Sequence, residues 1–314
     1  MTVRLTFLGN DPWSVATLDA IAGEPDLQVG LVVTNPPRPA GRGSAPRSTA
    51  VADAARRLEL PLVETEGVRG GEGRVAVEAS RPDALVVVAY GELLPPDLLA
   101  LPPSGALNLH FSLLPRWRGA APVQHAILAG DAVSGVTVMQ MDAGLDTGPI
   151  LAQLEDDVRP EDDAGTLGAR LAHLGAMLMV GVLRRLPVHD LPPRKQDERR
   201  VTHAPRLGPA DRQLDWTERA IDLARRVRAL APEPGASTSF RGEGLKVLAA
   251  SAADVPAGRA APPGTVLESD ARSVLVAAGE GGVRLLEVAP AGRKRMAAGE
   301  WANGARFRPG ERLG

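Results

Sequence analysis

The sequence predicts an α/β protein in which an open, mostly parallel, Rossmann-like sheet is followed by a small β-barrel. Three observations predict it. Up to about residue 186, apolar strand-like runs alternate with segments of helical periodicity, the pattern of a parallel sheet covered by helices on both faces. Between Pro187 and Pro209 the composition turns to prolines and charges, as in His189-Asp-Leu-Pro-Pro-Arg-Lys-Gln-Asp-Glu-Arg-Arg200, which reads as a surface linker. Beyond it, short strand candidates recur between glycine turns, the sign of a small barrel. The expected division is a catalytic domain over 1–188, a linker over 189–208 and a second domain over 209–314.

Each element follows from local pattern. Val3–Leu8 is an apolar run of strand length that stops at the turn Gly9-Asn-Asp-Pro12, and Pro12–Ala22 continues as a helix. Val29–Thr34 is a second strand, Ala50–Leu58 a helix and Leu62–Glu64 a short strand. Ala84–Tyr90 is apolar without alternation, as in a strand buried on both faces. Leu107–His110 is the next strand, followed by a helix at Ala121–Ala129, strands at Ser134–Met141 and Pro149–Asp156, and a long helix at Gly165–Leu186. In the second domain one helix, Ala220–Leu230, precedes strands at Gly244–Ala249, Gly264–Glu268, Ser273–Ala277 and Gly282–Val288. The first strand–helix turn lacks G-x-G-x-x-G, so dinucleotide binding is not expected.

Composition excludes several chemistries. The 314 residues include no cysteine, no Gly-x-Ser-x-Gly elbow and no His-Glu-x-x-His, which removes a thiol nucleophile and argues against a zinc site. The first apolar run is too short for the core of a secretory signal, and no run approaches the roughly 20 residues of a bilayer span, so a cytoplasmic protein is expected. Net charge is −2 but unevenly distributed. Residues 206–314 hold 17 Lys and Arg against 13 Asp and Glu, a surplus of four, which leaves −6 for residues 1–205. A basic domain appended to an acidic one suits a large anionic substrate.

The stretch from Leu107 to Leu151 carries the chemistry. Asn108 and His110 lie two apart on a strand and so share a face. Asp146 follows in the loop Met141-Asp-Ala-Gly-Leu-Asp-Thr-Gly148, after the strand candidate Gly135–Gln140. If the two strands run parallel, their ends bring amide, imidazole and carboxylate together at the carboxyl edge of the sheet, where ligands of open α/β sheets bind. An amide and an imidazolium can donate to an oxyanion growing on an attacked carbonyl, while a carboxylate holds the imidazole and helps to move a proton. The expected reaction is acyl transfer to an external nucleophile. Taken singly, each piece has a plainer reading: Asn-x-His as a strand-end turn, Asp146-Thr-Gly as an Asx-turn, and Pro115-Arg-Trp-Arg-Gly119 as a solvated loop.

Together these pieces resemble the folate-dependent formyltransferases. The residues that carry the resemblance are Asn108-Leu-His110, Ser112-Leu-Leu-Pro115-Arg-Trp-Arg-Gly-Ala-Ala-Pro122, Met139-Gln-Met-Asp-Ala-Gly-Leu-Asp-Thr-Gly148, Val86–Gly91, Asn35–Gly43, Pro262–Val266 and Pro290–Lys294, in the family's order. The resemblance implies an OB-like fold for the barrel, 10-formyltetrahydrofolate as formyl donor, no metal, and catalytic roles for Asn108, His110 and Asp146. It implies that Val88, Tyr90, Gly91, Ser112, Leu113, Leu114, Pro115 and Asp142 line the folate site. The Arg-Trp-Arg-Gly-Ala-Ala-Pro variant is similar to the branch that formylates the α-amine of initiator methionyl-tRNA. That branch implies tRNA contacts from Arg38, Arg42, Arg293 and Lys294 and a monomer. A formyltransferase acting on a nucleotide sugar or on glycinamide ribonucleotide would share the triad, and so would a formate-releasing hydrolase. A non-catalytic OB-type nucleic-acid-binding protein would explain only the second half. Two positions depart from the family pattern: Phe111 stands where glycine is usual, and the loop after Gly43 is poor in lysine.

Overall fold

The computed structural model describes residues 2–39, 46–186, 190–255, 258–308 and 310–314. Two compact units form: one from Met1–Pro122, Val133–Asp157 and Gly168–Pro205, the other from Val123–Ala132, Val158–Leu167 and Arg206–Gly314.

The first unit is built on a seven-stranded sheet. Its strands are β1 (Val3–Gly9), β2 (Leu27–Thr34), β5 (Leu62–Glu64), β6 (Ala84–Val88), β7 (Ala106–His110), β8 (Val133–Gln140) and β9 (Ile150–Asp157), in the order β5-β2-β1-β6-β7-β8-β9. A small antiparallel pair, β3 (Arg38–Pro39) and β4 (Pro46–Arg47), lies apart from it. All five residues of β6 are buried, as expected of a strand covered on both faces. Strands β5 to β7 pair in parallel. The chain leaves β1 towards β2 and β5 on one side and leaves β6 towards β7 on the other. The carboxyl ends of β1 and β6 therefore flank the crevice where a ligand is expected.

Helices α1 (Ser14–Ala22), α2 (Ala50–Arg57), α3 (Gly71–Ser80), α4 (Pro96–Leu99) and α6 (Ala164–Arg185) appear between the strands. Thr49 caps α2 by accepting from the Ala52 amide at 3.0 Å. The sequence reading missed α3, whose Gly-Glu-Gly opening carries weak helical propensity. Helix α6 corrects the expectation that no stretch approaches membrane-span length, because its length and apolar character would suffice. More than half of its most apolar stretch is buried, with Leu171, Met179 and Leu183 in the core. Gly168 and Gly175, seven residues apart on one face, allow the close approach: a Cβ at Gly168 would meet the Trp13 ring at 2.0 Å, and one at Gly175 the Leu109 side chain at 2.7 Å.

The direction of β8 is a second correction. Strands β7 and β8 are antiparallel, with Leu107 opposite Gln140 and His110 opposite Thr137, and β9 is antiparallel to β8. The end of β8 thus lies beside the start of β7. Asp146 reaches His110 because the loop between β8 and β9 folds back, and not because two parallel strands end together.

In the second unit, β10 (Ala236–Phe240), β11 (Glu243–Ala253), β12 (Val266–Ser269), β13 (Val274–Ala277), β14 (Gly282–Pro290) and β15 (Met296–Ala297) pair antiparallel in the order β10-β11-β14-β13-β12, with β15 beside β14. Strand β11 is longer than expected and bends through register shifts between Val247 and Ala250. The C-terminal segment closes the barrel. It bridges β10 at Phe240–Leu313 and the start of β12 at Thr265–Arg312. Helix α7 (Ala220–Leu230) buries Leu223, Val227 and Leu230 in the barrel core, and α8 (Ala298–Gly304) adds Trp301. Trp301 and Phe307 surround Phe240, with ring centroids 5.4 and 4.5 Å away. Helix α5 (Pro122–Ala129) falls almost wholly within this unit.

Candidate active site

The crevice is framed by the turns after β1 and β6. Asn10, in the turn Gly9-Asn-Asp-Pro12, ties the neighbouring strand ends together. Its Oδ1 accepts from Thr34 Oγ1 at 2.9 Å and from the Asn35 amide at 2.7 Å, and its Nδ2 donates to the Tyr90 carbonyl. The Val88 carbonyl accepts from Ser14 Oγ at 2.7 Å. Ala89 and Gly91 then turn the chain at φ +44° and +83°, and no atom lies within 4 Å of a Cβ built on Gly91. Of the folate-site residues expected here, Val88 and Tyr90 bury their side chains in the core. Burial, with the Glu92 carboxylate nearby, pushes the Tyr90 hydroxyl above its ordinary pKa. Ala89 and Gly91 are the exposed residues of this turn.

Asn108 and His110 share a face of β7 as predicted, and both are buried. Among the described residues, no group hydrogen-bonds the Asn108 amide. The residue is 9% exposed and its side-chain N and O are not among the fully buried polar atoms that lack a partner, so the amide is open to solvent or to a ligand. His110 Nε2 lies 2.9 Å from the Trp117 carbonyl. A carbonyl can only accept, so Nε2 carries the proton and Nδ1 is the open nitrogen. Nδ1 faces Asp146 Oδ2 at 3.7 Å, an ion-pair distance but longer than a hydrogen bond. The same Oδ2 accepts from the Gly119 amide at 2.8 Å.

The loops that complete the site adopt unusual backbone. Trp117 and Asp146 sit at φ +65° and +55°, and Gly119 at +127°. Gly119 needs its missing side chain, because a Cβ there would lie 2.6 Å from the Ala204 carbonyl. The Asx-turn reading of Asp146 fails, since its carboxylate reaches a residue 27 positions away. Asp142 forms that turn instead, accepting from the Gly144 amide at 3.0 Å and Thr147 Oγ1 at 2.6 Å. The solvated-loop reading of Pro115–Gly119 fails at Arg118, which is 4% exposed.

The remaining predicted residues fall into separate groups. Ser112 is buried, with its Oγ donating to the Arg116 carbonyl at 2.6 Å. Leu113, Leu114 and Pro115 line a cleft of about 1100 Å³ with Ile150–Glu155, Pro192, Arg194–Asp197 and Arg200. Asn108, His110, Asp146 and the Val88–Gly91 turn are not among the residues lining that cleft. Phe111 is 5% exposed and packs on Trp13 with ring centroids 5.6 Å apart. Arg38 is exposed and donates to Glu66 at 2.6 Å. Arg42 lies outside the described residues. Arg293 and Lys294 are exposed and line a cavity of about 830 Å³ in the second unit, together with Lys246 and Arg295. Among the described residues no cluster of three or more His, Asp and Glu could hold a metal ion. Sequence reasoning missed Asn10, Arg118, Gly119 and Gln196 as parts of the site. Gly119 and Arg118 lay inside the recognised stretch, whereas Gln196 carried no local signal.

An amide, an oriented imidazole and a carboxylate at the carboxyl edge of an α/β sheet are the kinds of group that acyl transfer to an external nucleophile uses. The formyl transferase family model matches residues 3–183, and the model of the formyl transferase C-terminal domain matches residues 206–306. The chain belongs to the formyl transferase family. It is 43% identical to the methionyl-tRNA formyltransferase of Solibacter usitatus over 314 residues, 99% of each chain. It is 44% identical to that of Thiobacillus denitrificans over 313 residues, 99% of this chain and all of the relative. Solved structures share the fold at low identity. HypX from Aquifex aeolicus in complex with tetrahydrofolic acid is 16% identical with a TM-score of 0.64, over 96% of this chain and 47% of that one. The N-formyltransferase of Helicobacter canadensis, with folinic acid and dTDP-3-aminofucose, is 17% identical with a TM-score of 0.65, over 91% and 99%.

Proposed function

We propose that this enzyme transfers the formyl group of 10-formyltetrahydrofolate to the α-amine of methionine esterified to initiator tRNA. The observation that carries the chemistry is an Asn108 side-chain amide with no hydrogen bond among the described residues, on the same strand face as His110, which faces Asp146. Asn108 donates to the formyl oxygen and holds it more strongly as negative charge grows there, the differential interaction that accelerates a reaction. The attacking amine must be neutral. His110, whose Nδ1 is open, takes a proton from the ammonium, and Asp146 at 3.7 Å stabilises the imidazolium that results. The bond from the formyl carbon to the amine nitrogen forms as its bond to folate N10 breaks. Of the two protons that the ammonium loses, one ends on N10 and the other in water.

The main chain of the Tyr90–Gly91 turn and the Ser112–Pro115 and Asp142 loops bind the folate. Catalysis belongs to the first compact unit, which holds Asn108, His110 and Asp146. Residues 209–314 bind tRNA through Arg293 and Lys294, with Arg38 and Arg42 contributing from the first domain. Full-length similarity to methionyl-tRNA formyltransferases, including the basic second half, supports this acceptor over a sugar amine. The proposal is tested by supplying 10-formyltetrahydrofolate with charged initiator tRNA in one reaction and a nucleotide-linked amino sugar in another. Formylation of the tRNA alone is expected; formylation of the sugar alone refutes the assignment.

A further inference from the structure

Gln196 lies in the stretch that the sequence reads as a surface linker, yet it is 4% exposed and its amide is committed at both ends. Nε2 donates to the Asp146 carbonyl at 2.9 Å and to the Gly148 carbonyl at 2.7 Å. Oε1 accepts from Arg118 Nε at 3.0 Å and Nη2 at 2.9 Å. Arg118, buried to the same degree, also donates to the Glu198 carboxylate at 2.8 and 3.2 Å. One amide therefore joins the loop that carries Asp146 to the loop that supplies the Trp117 carbonyl and the Gly119 amide.

We propose that Gln196 is a positioning residue for formyl transfer, holding the Asp146 main chain so that its carboxylate meets Gly119 and His110. The inference rests on the catalytic reading of Asp146. Residues 142–145 are exposed, and Asp146 has a backbone conformation that few residues other than glycine adopt. The two Nε2 hydrogens match two carbonyls on either side of that conformation. Arg118 fixes the sense of the amide, because a flipped Gln196 would turn its own NH2 towards a guanidinium and its oxygen towards two carbonyls. The segment around Gln196 is itself anchored. Ile150 and Arg194 exchange backbone hydrogen bonds at 2.8 Å, and the Arg118 main chain pairs with Thr202 and Ala204 at 2.9 and 2.8 Å.

The test uses the full chain. Gln196→Glu keeps the volume and the Arg118 pairing but removes both donors. Its kcat should fall about 10- to 100-fold, the scale of a small misplacement of a reacting group. KM for both substrates should stay within about twofold and the melting temperature near that of the parent. In an Asp146→Asn background, single-turnover rates should show no further loss, because the group being positioned is gone. Unchanged kcat in Gln196→Glu, or the same fold-loss in both backgrounds, overturns the proposal. If Gln196→Glu does not fold, Gln196→Met, which also lacks donors, decides by the same two comparisons. Near-normal turnover of Asp146→Asn by itself overturns the catalytic reading and the inference with it, whereas a crippled Asp146→Asn beside a normal Gln196→Glu overturns the inference alone.

Discussion

In the proposed mechanism Asn108 supplies the oxyanion donor, and among the described residues none hydrogen-bonds its side-chain amide. Replacing it with alanine should lower kcat roughly 10² to 10³-fold, the usual cost of one oxyanion donor. Folate affinity and the melting temperature should change little, because no internal hydrogen bond is lost. Single-turnover kinetics on the folded variant check this, and near-normal turnover removes Asn108 from the mechanism. In the proposed mechanism Asp146 acts through His110, so Asp146→Asn should cost about 10² to 10⁴-fold in rate, the range for a proton-transfer group. At this scale the sequence was largely legible. Asn108-x-His110 puts two side chains on one face of any extended strand, and β7 does so. The Nε2 contact with the Trp117 carbonyl was not legible, because it depends on a left-handed turn at Trp117 that no propensity favours.

The elements around the site make their own demands. A Cβ on Gly148 would lie 1.8 Å from the Gln140 carbonyl, so Gly148→Ala must displace the loop that carries Asp146. The expected outcome is a loss of about 1–3 kcal/mol in stability, as for other overpacked sites, and a larger proportional loss of kcat. Thermal unfolding and steady-state kinetics on one preparation test it, and a wild-type kcat would show that the loop tolerates the shift. In the second unit, Asp270 organises the turn between β12 and β13 by accepting from the Arg272 and Ser273 amides at 2.7 Å and from Ser273 Oγ at 2.9 Å. These donors hold its carboxyl below the ordinary value of 3.8. Its stabilisation is therefore present above that value and is lost as pH falls through the lower folded pKa. Asp270→Ala should melt earlier than the parent at pH 7, with the gap closing under acid, and a gap independent of pH would refute the role.

Strand positions were readable where the apolar run is unbroken, as in β6, whereas the order of the strands in the sheet was not. Strand direction was not readable at β8. Its buried run fits either sense: the antiparallel pairing with β7 follows from the route of the chain between the two strands, which no local pattern records, and the short return then makes β9 antiparallel to β8. Gln196 was not readable either, because a glutamine among prolines and charges looks the same whether it is solvated or buried.

Across the whole molecule, the proposed tRNA substrate makes a claim about charge. A polyanionic acceptor releases counterions on binding, so KM for charged tRNA should rise steeply with salt while KM for folate barely moves. Reversing Arg293 and Lys294 to glutamate should raise the tRNA KM and flatten its salt dependence, and leave kcat at saturation near that of the parent. A tRNA KM unmoved by both changes would exclude this face from binding. Charge reversal in the intact chain is the better probe than truncation at residue 205, because Val123–Ala132 and Val158–Leu167 belong to the same compact unit as residues 206–314. The uneven charge of the two halves was visible in the sequence; the interleaving of the units was not, since it depends on contacts between distant segments.

The central claim is that the open side-chain amide of Asn108, on the same strand face as an oriented imidazole, drives formyl transfer to methionyl-tRNA. Its most direct test is one assay of the parent and of Asn108→Ala with 10-formyltetrahydrofolate and charged initiator tRNA, reading formylmethionine released from the tRNA. The account predicts rapid formylation by the parent and a rate at least about 10²-fold lower in the folded variant. Absence of formylmethionine with the parent, or equal rates for the two proteins, would contradict it.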